Sequence, residues 1–491
     1  MGRIGECLSS TLDEGGASCS VTALAEVVPP RLIRDALRTA EKLETDERRR
    51  AGKRPKKRRD RKLPGDVTVW LLIGMALFRA LPIKGVLRRM VDGIPGFARF
   101  GIAELPVSTS LAQARDRIGR GMQFLFEGLV AVLARKHREA TTWLGLVVYA
   151  IDGSCFRVPD EKENDEYFGR PGSHRGGTSG FPQMRVVLLI TAFTHLVVRA
   201  AVGPYKTGEM TLAETLLPTI MPGSLILMDR GYYAFAWLAS LVARGAFFLV
   251  RVKKGKTALK AVKTKKLGKD DWLATLTSPA YLKRLMPDLP AALEIRLVRC
   301  HVKGYPRLLL ATNLLDPVKY PAEEITRLYY ERWEVELAYR EIKVYQAAEK
   351  TVTFRSHTPE RVEQEFYGLL VAYNCVRALM ADAAQEVGCD PRRLSFAGCL
   401  ERVTATIPLF AFASPANHGQ ILDRLRIDLG SCRLPAKRVG RRCRREVKIK
   451  MSNWPRKRPR GAKTKRRSLS KRRRAVASRR RTGAAREAPK R

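Results

Sequence analysis

Acidic residues are scarce in this chain, and metal-binding side chains are scarcer. Its 491 residues hold 48 Asp plus Glu against 92 Lys plus Arg, with six His and nine Cys. The cysteines (Cys7, Cys19, Cys155, Cys300, Cys375, Cys389, Cys399, Cys432 and Cys443) never form a CxxC pair. Their spacing excludes a zinc ribbon and a secreted disulfide scaffold, and it predicts free thiols in a reducing cytosol. The apolar run VWLLIGMALF (69–78) is too short to span a bilayer and is closed by Arg79. The opening MGRIGECLSSTLDEGG contains no apolar stretch and is no signal peptide. The expectation is a soluble, cytoplasmic protein with no membrane partner.

What is abundant is positive charge. The excess gives +44, and an imbalance of that size points to a polyanionic partner, nucleic acid before an anionic membrane. More than half of it is concentrated at one end: residues 437–491 carry 26 Lys or Arg against two Glu, a net +24. That composition cannot build a core and reads as a disordered basic tail, taken as 433–491. A second charge block, DERRRAGKRPKKRRDRK (46–62), reads as a flexible linker, so that 1–62 is expected to be a flexible basic segment.

Between these ends the pattern changes twice. From 63 to 142 it is helical, with DVTVWLLIGMALFRAL, IKGVLRRMVDGI and STSLAQARDRIGRGM in succession. Ser110 with Gln113 has the spacing of a capping box for the third of these helices. A small helical domain with arginines on a short helix suits a DNA groove. A helical bundle with a solvated face explains the same residues equally well.

At 144 the period switches to that of strands. LGLVVYAID, MRVVLLITAF, HLVVRAAVG, GSLILMD and AFFLVRVK are short, nearly continuous apolar runs, with helical MTLAETLLPTI and YAFAWLASLVARG among them. Such runs belong to strands buried on both faces, so the expected class is α/β, a mixed sheet with helices on its faces. Residues 253–320 break the pattern, with a Lys-rich stretch before the strand-like EIRLVRCHV and PRLLLATNLL, and read as an insertion. Helical patterns return over 355–432.

Two aspartates stand at matching points, Asp152 at the end of LGLVVYAID and Asp229 at the end of GSLILMD. A carboxylate at the carboxyl end of a buried strand faces a crevice above the sheet, although either Asp would also serve as a cap for the turn that follows. The third element is YYERWEVELAYREIKVYQ (329–346), read as one helix. At about 100° per residue, Tyr329, Arg332, Arg340 and Lys343 fall within roughly 40° of Glu336, inside the apolar face, with Glu331, Glu334 and Glu341 opposite. An ion-pair stripe of Glu336 with Arg332 and Arg340 is the plainer explanation. It leaves Tyr329 and Lys343 in the same column unexplained. If Asp152, Asp229 and Glu336 converge, their mutual repulsion calls for hard divalent cations. Two Mg²⁺ ions, with Mn²⁺ as a substitute, would then form a clamp for displacement at phosphorus. Tyr329, Arg332, Arg340 and Lys343 would hold DNA phosphates beside it.

These residues resemble a known family. Tyr329-x2-Arg332-x3-Glu336-x6-Lys343 matches the Y-x2-R-x3-E-x6-K signature of the DDE transposases of the bacterial insertion-sequence-4 family. IDGSCFRVPD, FGRPGSHRGG, LILMDRGYY, FRSHTPERVEQEFYGLLVAYN, WLLIGMALFRALPIKGVLRRM and VKIKMSNWPRKR resemble family segments in the family's order, covering 63 to 458. The resemblance implies a ribonuclease-H-like catalytic domain (143–354) with a β-rich insertion at about 253–320, following a helical DNA-binding domain (63–142). It makes Asp152, Asp229 and Glu336 the metal-binding catalytic triad, with Tyr329, Arg332 and Lys343 on transposon-end DNA. The implied activity is cut-and-paste transposition by a dimer on double-stranded ends, in a bacterial, nucleoid-associated setting. In related enzymes an aromatic residue of the insertion stacks on a flipped base, and Trp237 and Trp272 are the candidates. Two alternatives stand beside this: a nucleic-acid-binding protein without catalysis, and a ribonuclease-H-like nuclease that does not join strands.

Overall fold

The computed structural model describes residues 24, 27–54, 63–91, 107–172, 179–253, 255, 259–301, 307–345 and 354–436. The expected basic tail from 437 onward, the segment VKIKMSNWPRKR and the 55–62 part of the basic run lie outside these residues.

The strand-like segments assemble into one mixed sheet. Its strands are β1 (Thr142–Trp143), β2 (Leu146–Arg157), β3 (Gln183–Thr191), β4 (Val197–Pro204), β5 (Ser224–Met228), β6 (Phe247–Arg251), β7 (Ala261–Gly268), β8 (Asp271–Thr277), β9 (Ala292–Cys300) and β10 (Leu308–Thr312). Their order across the sheet is β4-β3-β2-β5-β6-β10-β9-β8-β7, with β1 paired to β2. The run β2, β5, β6 is parallel, and every other neighbouring pair is antiparallel. All five residues of β5 are buried, as are eight of the nine in β3. Strands covered on both faces have no polar side to show, and this is why they read as continuous apolar runs. The α/β expectation holds at this level.

The inserted residues do not fold apart from this sheet. β10 pairs with β6, placing Ala311 opposite Val250, and β9, β8 and β7 continue outward from it. β7 is the Lys-rich stretch, exposed from Val262 to Lys266, and lies at the end of the strand order. Charged side chains are tolerated on an edge strand, where they discourage pairing with another chain.

The helices cover the sheet and build the amino-terminal part. Pro359–Glu386 begins with Thr358, whose hydroxyl accepts from the Arg361 amide, and has Pro359 in its first turn. Its 28 residues are buried almost all round. Gly65–Leu77, carrying the apolar run near 70, is buried from Val67 to Leu77 and packs on it. The approach is close: a Cβ on Gly368 would lie 3.1 Å from the Leu72 carbonyl oxygen. The run is therefore a core helix, and none among the described residues is long and apolar enough to cross a membrane.

Two expectations fail in this region. Residues 1–62 are not flexible throughout, because Pro30–Arg50 is a helix that buries Ile33, Ala36 and Ala40 and packs on Gly121–Lys136. Leu37 fits between glycines, 2.9 Å from a Cβ built on Gly65 and 3.1 Å from one on Gly121. An apolar stripe of period 3–4 held this helix together inside a charged sequence. The Ser110–Gln113 capping box also does not form: the helix is Ser108–Ile118, and its N-cap is Val107, with no side-chain cap.

Candidate active site

Parallel pairing of β2 with β5 sets Val147 opposite Ser224 and Ala150 opposite Leu227, a constant offset of 77. Two residues further along each chain, the same offset joins Asp152 to Asp229. Asp229 directly follows β5, but Asp152 does not end its strand as expected: β2 runs on to Arg157, still paired with β3. Both aspartates stand just beyond the last parallel pair, Ala150–Leu227, where β2 and β5 part, and crevices in α/β sheets open at such points. Asp152 is half-buried and accepts from the Gly153 amide at 3.0 Å. Asp229 accepts from the Gly231 amide at 2.6 Å, so it does cap the turn Arg230–Tyr232, as the plainer expectation had it.

The segment bearing Glu336 departs from a single helix. An α-helix, Ala322–Tyr330, tightens into one 3₁₀ turn at Glu331–Trp333, returns to α over Glu334–Arg340, and widens into a π turn at Glu341–Tyr345. The expected column is split accordingly. Tyr329 and Arg332 are buried, Lys343 is half-buried, and Glu336 and Arg340 are exposed. The apolar face therefore does not bury Glu336, whose side chain is 45% exposed. The enclosed carboxylates of this segment are Glu334, buried, and Glu341, half-buried, both expected on the wet side, and both find partners in distant parts of the chain.

Arg332 links the helix to the strands. Its Nη2 donates to Glu336 Oε1 at 3.4 Å, and its positive charge also acts on Asp152. Burial raises the Asp152 carboxyl to about 7; Glu209 and, less strongly, Asp229 add to the rise, while the Gly153 amide and Arg332 oppose it. Tyr329 is pushed up to about 12 by burial, against the pull of Arg332 and Arg251. The Tyr339 hydroxyl donates to the Asp152 carbonyl oxygen at 2.9 Å and ties the helix to β2. Lys343 reaches the same strand, donating to Ser154 Oγ and, at 2.9 Å, to the Cys155 carbonyl oxygen. Burial lowers its ammonium to about 8, although Cys155 and Asp152 favour the charge.

Glu209, not singled out from the sequence, is a further carboxylate beside Asp152. It opens the short helix Glu209–Glu214 and accepts from the Tyr232 hydroxyl at 2.8 Å through Oε1. Its side chain lies over Gly153, where a Cβ would come within 2.5 Å of Glu209 Cδ. A glycine directly after Asp152 was the available sign: only a residue without a side chain admits this approach. The two tryptophans separate clearly. Trp237 is buried, its indole N–H on Met228 Sδ at 2.9 Å, whereas Trp272 on β8 lies between the Lys263 ammonium, 3.3 Å from its ring centroid, and Arg299.

Among the described residues, no three His, Cys, Asp or Glu side chains stand close enough together to hold a metal ion. The donor chemistry nonetheless fits a hard cation. Burial first, then the charges of Glu209 and Asp229, raise the Asp152 carboxyl, and a cation bound to its oxygens would offset that cost.

Residues 143–375, which include both aspartates and the helix bearing Glu336, match the family model for a transposase DDE domain. Enzymes of this class rely on divalent metal ions. Residues 18–127 match the model for the insertion element 4 transposase N-terminal region. The chain is 34% identical over 389 residues to transposase InsG for insertion sequence element IS4 of Escherichia coli strain K12, covering 77% of this chain and 84% of that protein. It is 31% identical over 191 residues to the putative transposase InsZ of the same organism, covering 38% of this chain and 60% of that one. A solved piggyBac transposase synaptic complex with hairpin DNA aligns over 86% of each chain at 8% identity and a TM-score of 0.39, too distant to bear on the site. The chain belongs to the IS4 family of DDE transposases, and its activity is DNA transposition, the cleavage and transfer of DNA strands.

Proposed function

We propose that Asp152, Asp229 and Glu336 are the catalytic carboxylates of a ribonuclease-H-like core and that they act with two Mg²⁺ ions, for which Mn²⁺ can substitute. The observation that carries the reading is the 77-residue offset of the β2–β5 pairing, which, continued two residues past its last pair, matches Asp152 to Asp229, and the Asp229 charge acts on Asp152. The order β4-β3-β2-β5-β6, two antiparallel strands followed by a parallel run, supports the ribonuclease-H-like assignment.

The metal ions supply activation of the attacking oxygen and stabilisation of the leaving one in displacement at phosphorus. The chain's own residues do the rest. Asp152 would offer carboxylate oxygens from within β2 and Asp229 from directly after β5, and Glu336 would offer a third from the helix tied to β2 by Tyr339. Arg332 holds Glu336 and faces Asp152, so it is placed to take a DNA phosphate when those carboxylates turn to metal. Tyr329, Arg340 and Lys343 extend that contact along the backbone of the transposon end. The substrate is the double-stranded terminal repeat of the element and then target DNA, bound by a dimer in the synaptic complex. The basic ends of the chain add affinity that depends on salt rather than on sequence.

The test is strand cleavage of a fragment carrying the element's own end, with Mg²⁺, for wild type and Glu336→Gln. Metal-dependent nicking at the end, lost in the variant while DNA binding persists, is the expected result. Nicking at the wild-type rate by Glu336→Gln would remove Glu336 from the site.

A further inference from the structure

The helix bearing Glu336 is held from behind by a buried charge network that the reaction itself does not use. Its centre is His195, in the turn between β3 and β4. His195 has φ of 60° and is 2% exposed. A left-handed conformation costs a residue other than glycine about 1 kcal/mol, so the position is held by its surroundings. Its backbone amide bonds to the Thr191 carbonyl oxygen at 3.0 Å, and Thr191 and Thr194 share a hydroxyl hydrogen bond of 2.6 Å.

The hydrogen bonds assign the ring's tautomer. Nε2 is 2.6 Å from Glu334 Oε2, and Nδ1 is 2.6 Å from Arg377 Nη2. A guanidinium only donates, so Nδ1 must accept and the ring proton sits on Nε2, which donates to Glu334. The 3.6 Å separation of Nδ1 from Glu341 Oε2 is then no hydrogen bond. Arg377, buried in Pro359–Glu386, donates from Nε to Glu341 Oε2 at 3.1 Å and from Nη2 to the same carboxylate. The Tyr373 hydroxyl donates to Glu341 Oε2 at 2.8 Å. Burial would raise Glu341, but the Arg377 guanidinium holds it down at about 2.

Glu334 comes two residues before Glu336 and Glu341 five after, and both point away from it. Apolar packing would let this helix slide or roll at little cost. Hydrogen bonds at both of its ends do not, because they are directional. Buried ion networks contribute little net stability compared with apolar packing, so one that survives needs another explanation, and fixing a single arrangement is the best attested. We infer that His195 and Arg377, acting through Glu334 and Glu341, are positioning residues that set the rotation and height at which Glu336 faces Asp152 and Asp229. The inference rests on Glu336 being catalytic.

The experiment is single-turnover cleavage of end DNA with Mn²⁺ by the full chain. It compares His195→Gln and the isosteric Glu334→Gln, each in the wild-type and Glu336→Asp backgrounds, with DNA binding and urea melts in parallel. A displacement of about 1 Å costs roughly 100-fold in rate. The expected result is therefore a 10- to 100-fold slowing in the wild-type background at unchanged DNA affinity. In the Glu336→Asp background, where the carboxylate is already withdrawn, the further slowing should be less than threefold. Equal factors in the two backgrounds, or slowing that tracks the loss of folded protein for both substitutions, would overturn the inference. Wild-type cleavage by Glu336→Asp would overturn the catalytic reading first and this one with it.

Discussion

Asp152 is predicted to weaken the metal-free fold at the pH where the enzyme works. Burial and the neighbouring Glu209 raise its carboxyl from 3.8 to about 7. An acid whose folded pKa is raised binds its proton more tightly when folded, so stability is lost as pH climbs from the unfolded value to the folded one. At about 1.4 kcal/mol per factor of ten in proton affinity, the rise sets a ceiling of about 4 kcal/mol above pH 7. Solvent at the half-buried carboxylate brings this to about 2 kcal/mol. Asp152→Asn removes the ionisation and keeps the shape. It should therefore be the more stable protein by about 2 kcal/mol at pH 8 and by about 0.5 kcal/mol at pH 4, in urea unfolding with a chelator present. Adding Mg²⁺ should stabilise wild type and leave the variant unmoved, because binding to the folded state alone raises stability. A variant no more stable than wild type at pH 8, or a gap that does not widen between pH 4 and 8, would refute the argument.

Three further outcomes are expected. Gly153→Ala puts a methyl group 2.5 Å from Glu209 Cδ and should cost about 1–3 kcal/mol in urea melts, with slower end cleavage. Lys343→Gln should weaken end binding and reduce the slope of log affinity against log salt by about one, provided its ammonium leaves Ser154 for a phosphate; an unchanged slope would make it a tether of β2. Deleting residues from 459 onward should flatten that slope further while leaving the thermal stability of the rest unchanged, both readable from one protein preparation.

The two aspartates drew attention because each closes an apolar run, although Asp229 also caps the turn after β5 and Asp152 proves to lie inside β2 rather than at its end. Their pairing was not legible, since register depends on hydrogen bonds between segments 77 residues apart. Glu336 was legible only through its motif. A uniform 100° wheel assumes an unbroken α-helix, and the tightened turn at Glu331–Trp333 and the widened one at Glu341–Tyr345 break that assumption. Nothing local distinguishes Glu334 and Glu341 from solvated glutamates, because their partners His195 and Arg377 come from a strand turn and a helix remote in sequence. The Pro30–Arg50 helix was hidden by composition, with its few small apolar residues lost among charges until a partner helix gave them a surface.

The join between β6 and β10 has a consequence for how this enzyme can be altered. β6 is a short apolar strand with Phe248, Leu249 and Val250 buried, and one of its two edges is covered by β10. The inserted residues are thus a sealant as well as an extension. Excising them to make a minimal enzyme would uncover a row of unpaired amides and carbonyls on an apolar strand next to the one ending at Asp229. Such an edge is a template for pairing with another copy. A trimmed version should aggregate before it loses its chemistry, unless the excision keeps β10 in place.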